Sequence, residues 1–223
     1  MTASLPAIAS YRITSLIHEG SKTLVYRGVR LADAQPVVLK VLKSDRPSIY
    51  DLLRFRNHYT IAKYLNVPGI VQPLSLEPHG NGFVLVMPDD QSVVLADYIT
   101  SHSLRLGEVL AIAIQLATIL HGLYQHRVIH KDIKPANLLI HPDTQQVKLI
   151  DFSIASLLPK ETQEIKNPNI LEGTLAYLSP EQTGRMNRGI DYRSDFYALG
   201  VTLFELLTGQ LPFSSNDPMA LIH

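Results

Sequence analysis

The stretch VIHKDIKPANLLIHPDTQQVKLIDFS, residues 128–153, constrains the fold more than any other part of the sequence. Asp132, Lys134 and Asn137 fall within one short loop. The apolar runs LLI and VKLI follow, and PDTQQ between them has the composition of a turn, which predicts a hairpin. Asp151 ends this hairpin, so we expect its carboxylate on the same side of a cleft as the loop residues.

These residue types suit phosphoryl transfer. That chemistry needs a metal clamp, a cation near the phosphates and a carboxylate near the attacking hydroxyl. Asp132 can accept the hydroxyl proton, and Lys134 can neutralise the phosphoryl group in transfer. Asn137 and Asp151 offer the hard oxygen ligands that magnesium prefers. The sequence therefore predicts Asp132 and Lys134 as catalytic residues, and Asn137 and Asp151 as metal ligands.

The whole chain predicts an α+β fold with two lobes, residues 1–88 and 89–223. The first lobe contains one helical segment, residues 49–65, and five runs rich in strand formers, which predict a small antiparallel sheet. Those runs are YRITSLIHEG, TLVYRGVR, PVVLKVLK, IVQPLSLEP and FVLVMP. The second lobe is mainly helical. One of its helices has an apolar stripe that we expect to be buried: Leu106, Leu110, Ala113, Ala117 and Leu120. The run RSDFYALGVTLFELLTG predicts another buried helix, which ends at Gly209.

Composition and charge give no reason to expect nucleic acid or a membrane as a partner. The chain has 20 basic and 20 acidic side chains, a formal net charge of +0 and no cysteine. This balance, without a basic run, gives no electrostatic reason to expect nucleic acid. The N-terminus lacks the pattern of a signal peptide, and the apolar run at residues 109–120 is too short to cross a bilayer. We therefore expect no membrane insertion and a cytoplasmic location.

Four longer motifs identify a family. HKDIKPAN, DFS, GTLAYLSPE and DYRSDFYALGVTLFELLTGQLPF resemble the catalytic loop, metal motif, activation-segment end and buried helix of eukaryotic-type Ser/Thr protein kinases. The wording of the last two motifs is most similar to the N-terminal kinase domain of bacterial hybrid proteins that also carry an ATPase module, a GAF domain and a histidine kinase. The resemblance implies ATP and Mg²⁺ as cofactors, a protein substrate, and further domains C-terminal to this chain. It also implies that the chain ends before the last helices of the second lobe.

The resemblance also implies roles in ATP binding. Lys40 matches the lysine that grips the phosphates, and Gly20 matches the middle glycine of the loop that covers them. Met87 stands at the back of the adenine pocket, and Pro88 and Asp90 offer a carbonyl and an N–H to the base. The apolar walls of the pocket are implied to be Ile17, Val25, Val38 and Leu139.

Six further positions are implied to support the site. His130 packs behind the catalytic loop, and Lys131 stands where the family has an arginine that binds a phosphorylated activation loop. Thr174 is expected to hydrogen-bond near Asp132. Asp195 is expected to hold the catalytic-loop backbone. The remaining two are His58 and Glu181, the latter paired in the family with an arginine from a later helix.

Some positions depart from the family pattern. His58 occupies the place of the helix glutamate that pairs with Lys40, and it brings no negative charge. Lys131 makes only a point contact where arginine makes a two-pronged one. Ser153 replaces a glycine of the metal motif. Two hypotheses stay open from these residues: an active Ser/Thr protein kinase, and a pseudokinase that binds nucleotide or regulates attached or partner signalling proteins.

Overall fold

The computed structural model describes residues 6–158, 174–184 and 189–215. These residues form two compact units. The first comprises the described residues within 1–64 and 71–91, and the second comprises those within 65–70 and 92–223. Residues 1–5, 159–173, 185–188 and 216–223 lie outside the described residues.

The first unit is built on an antiparallel sheet. Its strands are β1 (Tyr11–Glu19), β2 (Thr23–Arg30), β3 (Pro36–Leu42), β4 (Ser75–His79) and β5 (Gly82–Pro88). They lie in the order β1-β2-β3-β5-β4. Val37, Leu39 and Val41 of β3 are buried in one apolar cluster with Val84 and Val86 of β5. Because side chains alternate along a strand, Val38 and Lys40 lie on the opposite face of β3.

One helix, α1 (Ile49–Ala62), belongs to this unit. Its first turn is closed by a capping box in which Ser48 and Asp51 each accept from the other's backbone N–H. Phe55, His58 and Ile61 are among the residues on its buried face. The predicted five-stranded sheet with one helix is thus confirmed, and with it the first half of the predicted α+β fold.

Two predicted boundaries in this unit were too generous. The helix ends at Ala62, with Lys63 as its C-cap, whereas the prediction extended it to residue 65. The fourth strand begins only at Ser75. The preceding run contains Pro73, which has no N–H to donate to a neighbouring strand, and Ile70 instead forms an isolated bridge with Leu149.

The second unit is mainly helical. Its helices are α2 (Leu95–Ser101), α3 (Leu106–Gln125) and α4 (Arg193–Thr208). Its short strands are β6 (Val93–Val94), β7 (Val128–Ile129), β8 (Leu138–Ile140), β9 (Val147–Leu149) and β10 (Ser156–Leu157). The strands β8 and β9 form the predicted hairpin, and β7 pairs with β10. As predicted, α4 ends at Gly209, which has φ 70° and donates its N–H to the Glu205 carbonyl.

Leu120 of the predicted buried stripe of α3 is buried, but the rest of that prediction was wrong. Leu106 and Leu110 are 63% and 54% exposed, and Ile114 on the same side is 69% exposed. The buried residues are Val109, Ile112, Leu116, Ile119, Leu120 and Leu123. Both sides of the helix are apolar, so periodicity could not select the buried one. By length and composition α3 would also qualify as a membrane span, the one such helix in the described part of the chain.

We predict that Gly122→Ala destabilises the second unit. A Cβ at Gly122 would lie 2.3 Å from Cγ1 of Val67, which is buried. Overpacking of this kind costs about 1–3 kcal/mol, more than alanine's better helix propensity returns. The free energy of unfolding, measured with urea, is expected to fall.

The matched control is Gly107→Ala in the first turn of the same helix. A Cβ there meets nothing within 4 Å, so stability should stay equal or rise slightly. Equal urea midpoints for the two variants would show that Val67 and α3 do not pack as closely as described.

Candidate active site

Three side chains hydrogen-bond the carboxylate of Asp132 in the catalytic loop. Oδ2 of Asp132 accepts from Lys134 Nζ at 2.7 Å and from Asn137 Nδ2 at 2.7 Å. Oδ1 of Asp132 accepts from the Thr174 hydroxyl at 3.1 Å. Lys134 Nζ also donates to the Thr174 hydroxyl. The structure therefore brings Asp132, Lys134, Asn137 and Thr174 together, although Thr174 lies 42 positions beyond Asp132.

Asp195, near the start of α4, holds the backbone of this loop by hydrogen bonds. Its carboxylate accepts from the backbone N–H groups of His130 and Lys131, both at 2.8 Å. Asp195 is 3% exposed. Burial raises the pKa of the Asp195 carboxyl, while the positive groups and N–H donors around it act in the opposite direction. These two hydrogen bonds fix the residues that directly precede Asp132.

The ring of His130 takes part in the same arrangement. Nε2 lies 3.0 Å from the Ile150 carbonyl, which can only accept, so Nε2 carries the proton. Nδ1 is then the acceptor for the Asp132 N–H at 3.3 Å. The ring also meets Phe152 edge to face, with centroids 4.8 Å apart. Through these contacts His130 links the catalytic loop to the end of the β8–β9 hairpin.

The chemistry of the donor set fits a magnesium ion. Asn137 Nδ2 donates to both the carbonyl and the carboxylate of Asp132, so the amide oxygen is the atom available to a cation. The Ile150 N–H donates to the Asn137 carbonyl, which brings the neighbouring Asp151 close to the loop. Among the described residues, no group of three or more His, Asp or Glu side chains is placed to hold a metal ion. Magnesium does not require one, because it keeps waters and binds substrate phosphates.

Four of the residues implied in ATP binding share one face of the sheet in the first unit. Lys40 is directly paired with Val25 of β2 and with Leu85 of β5. Val38 is directly paired with Met87. Paired residues in a sheet point to the same side, so Val25, Val38, Lys40 and Met87 form one continuous surface opposite the apolar cluster.

The other positions implied in ATP binding lie on turns, strand ends and the second unit. Gly20 opens the β1–β2 turn and donates its N–H to the Thr23 carbonyl at 2.9 Å. Ile17 is the extra residue of a bulge in β1, which re-aims its side chain. Pro88 is the last residue of β5, and Asp90 follows it. Leu139 belongs to the second unit, where it pairs with Val94 and Lys148.

His58, which we expect at the position of the family's helix glutamate, is buried on α1. His58 is 2% exposed and lies one turn after Phe55 on the buried face of α1. The Lys40 ammonium lies 5.9 Å from the centroid of the Phe55 ring. That distance permits a cation–π interaction, which brings attraction but no negative charge. The α1 helix thus places the Phe55 ring near the Lys40 ammonium, one turn before His58.

The segment after Thr174 forms two 3₁₀ turns, Leu175–Tyr177 and Pro180–Thr183. The Tyr177 hydroxyl donates to Glu205 of α4, and burial together with this carboxylate raises the pKa of Tyr177. Glu181 accepts from the buried Ser194 hydroxyl at 2.6 Å.

Sequence reasoning missed Gln182, whose amide contacts the backbone of the catalytic loop. The one signal for it was the S-x-x-Q pattern of Ser179 and Gln182, which is typical of a capping box.

Comparison with known proteins places the chain in a family. The sequence profile of the protein kinase domain matches residues 11–222. The chain belongs to the protein kinase family. This kinase domain is 34% identical to the serine/threonine-protein kinase PrkC of Bacillus subtilis, over 95% of this chain and 32% of that protein.

Other relatives carry related names. Serine/threonine-protein kinase PknB of Mycolicibacterium smegmatis is 34% identical, over 96% of this chain and 35% of its own length. Serine/threonine-protein kinase pkn3 of Myxococcus xanthus is 33% identical, over 93% and 39% respectively. The kinase domain thus spans between 32% and 39% of the length of these curated relatives.

We predict that Tyr177→Phe lowers the free energy of unfolding at neutral pH. The variant leaves the Glu205 carboxylate without its hydroxyl donor, a loss of about 1–2 kcal/mol. The pKa of Tyr177 is raised in the folded state, so this stability is present below pH 10.0 and is lost as the pH rises above it. The difference between wild type and variant should therefore shrink in alkaline urea titrations.

Tyr124→Phe serves as the control, because its ring is 45% exposed. It should leave stability within about 0.5 kcal/mol of wild type. A Tyr177→Phe protein whose deficit stays constant up to strongly alkaline pH would contradict the described pairing with Glu205.

Proposed function

We propose that this chain is the catalytic domain of a Ser/Thr protein kinase that transfers the γ-phosphate of ATP to a hydroxyl group of a protein. The observation that carries the proposal is the group around Asp132, where one carboxylate receives hydrogen bonds from Lys134, Asn137 and Thr174. This group sets a base, a cation and a metal-binding amide beside one another. Phosphoryl transfer depends mainly on such positioning and on charge stabilisation.

Each residue of the catalytic loop has a separate task. Asp132 would orient the substrate hydroxyl and receive its proton as the new oxygen–phosphorus bond forms and the bond from the γ-phosphorus to the leaving ADP breaks. Lys134 places positive charge beside the phosphoryl group in transfer, and its bond to Asp132 keeps it there. Asn137 and Asp151 would hold magnesium. When bound, the ion neutralises phosphate charge and orients the γ-phosphate.

The ATP itself would be held mainly by side chains of the first unit. Lys40 binds the phosphates, and the Gly20 turn lets backbone amides approach them. Ile17, Val25, Val38 and Met87 would contact the base. The Pro88 carbonyl and the Asp90 N–H recognise its edge. Proline is suited to Pro88, because this role needs a carbonyl and no N–H.

The second candidate function is that of a pseudokinase. The observation that favours it is His58, buried on the face of α1 where the family has the glutamate partner of Lys40. In that case the domain binds nucleotide, or nothing, and regulates attached or partner proteins. We place the enzyme first because Asp132, Lys134, Lys40, Asn137 and Asp151 are all retained. The C-terminal domains and the cytoplasmic location implied by the sequence stay predictions.

The decisive experiment is phosphotransfer from radiolabelled Mg²⁺–ATP to the protein itself and to a generic basic protein. The longest natural chain that contains these residues should be used, beside Asp132→Asn. We expect label in the wild type and a loss of at least about a hundredfold in the variant, because the carboxylate that accepts the proton is gone. Equal labelling, or none from a folded wild type, would favour the pseudokinase.

We further predict that His58→Glu raises phosphotransfer. A carboxylate at this position restores the charge that pairs with Lys40, and such a pairing is worth about 1–3 kcal/mol, or one to two decades in rate if it acts wholly in the transition state. The readout is kcat/KM for ATP.

His58→Gln is the matched control, since it has the size of glutamate without its charge. A rise in both variants would assign the effect to packing. A flat or lower rate in His58→Glu would mean that the Phe55 contact or another group already does the work of the ion pair.

A further inference from the structure

The side chain of Gln182 joins two segments of the second unit that lie far apart in sequence. Its Oε1 accepts from the backbone N–H of Ser179 at 3.1 Å and from the Ser179 hydroxyl at 3.0 Å. Its Nε2 donates to the backbone carbonyl of Lys131 at 3.0 Å. The amide oxygen therefore caps the 3₁₀ turn that contains Gln182. The amide nitrogen binds the carbonyl of Lys131, the residue before Asp132.

The carbonyl that Gln182 binds belongs to a constrained residue. Lys131 has φ 70°, a left-handed conformation that costs an L-residue about 1–2 kcal/mol. Its N–H is bound by Asp195. The following peptide group is bound at both ends, because its carbonyl accepts from Gln182 and its N–H donates to Nδ1 of His130. The plane of this peptide determines where the Asp132 side chain leaves the backbone.

The same segment also reaches the Asp132 carboxylate directly. Thr174, at the start of the described segment, donates its hydroxyl to Oδ1 of Asp132. Gln182, near its end, fixes the peptide from which Asp132 arises. The segment between them includes Tyr177, which is tied to α4 through Glu205. Asp132 is thus held at its carboxylate and at its backbone by one stretch of chain.

We propose that Gln182 is a positioning residue for Asp132, acting through its hydrogen bond to the Lys131 carbonyl. This inference rests on the proposed kinase function. A purely local role in capping the 3₁₀ turn needs only the acceptor oxygen, which a glutamate would supply equally well. The contact with Lys131 needs the N–H donor, which only the amide provides.

The test separates these two roles in the longest natural chain that contains these residues. Q182E keeps the acceptor for Ser179 and removes the donor to Lys131. We expect kcat for a generic protein substrate to fall about tenfold or more, because small misplacements of a catalytic group cost rate heavily. The KM for ATP should stay within about twofold, and the melting temperature within a few degrees, because ATP-binding groups and the cap are retained.

Two control variants sharpen the result. Q210E makes the same chemical change at an exposed side chain after α4, and we expect wild-type kcat. S179A removes a donor to the Gln182 oxygen and leaves the Lys131 contact, so it should lower the melting temperature and spare kcat. An equal fall of kcat in S179A and Q182E would reduce Gln182 to a capping residue and overturn the proposal.

The remaining outcomes are also decisive. A wild-type protein no more active than Asp132→Asn would overturn both the kinase function and this inference. An active wild type with unchanged kcat in Q182E would overturn the positioning role alone. A Q182E protein that does not fold would also overturn it, since the Lys131 contact would then serve structure and not the base.

Discussion

The carboxylate of Asp195 is the contact on which the rest of the site depends. It is buried, yet it receives two backbone N–H groups that no secondary structure satisfies. Those donors belong to residues that lead directly into Asp132, so a side chain of α4 determines the course of the catalytic loop. The cost of burying a charge is offset because both oxygens are used. The position of Asp132 therefore depends on the buried hydrogen bonds of Asp195.

Further hydrogen bonds hold the catalytic loop to neighbouring segments of the second unit. His130 ties the loop to the end of the β8–β9 hairpin, and Asn137 ties it to the hairpin's last backbone N–H. Thr174 closes the arrangement from a distant part of the chain. In most of these hydrogen bonds at least one of the two partners is a backbone group. Every residue type except proline supplies the same backbone N–H and carbonyl groups, so these links do not depend on the side chains of Lys131 and Ser153.

The parts of the fold that sequence could predict are those with local causes. The hairpin before Asp151 follows from two apolar runs and a turn, and the end of α4 follows from one glycine. The buried side of α3 could not be predicted, because both sides are apolar and only neighbouring elements decide between them. The contact of Gln182 with the Lys131 carbonyl was also inaccessible, since a backbone acceptor 51 positions away leaves no pattern in the sequence. The grouping of Asp132, Lys134 and Asn137 was accessible because their spacing is short.

The alternation along β3 has a consequence for how this domain can change over time. Leu39 and Lys40 are neighbours in sequence, yet one lies in the apolar cluster and the other on the face that carries Val25 and Met87. Inserting or deleting one residue within β3 would exchange the two faces, burying the ammonium group and exposing leucine. The turn at residues 31–35 carries no such restriction. Length variation among descendants of this gene should therefore collect in that turn, while the strand itself keeps a fixed count of residues.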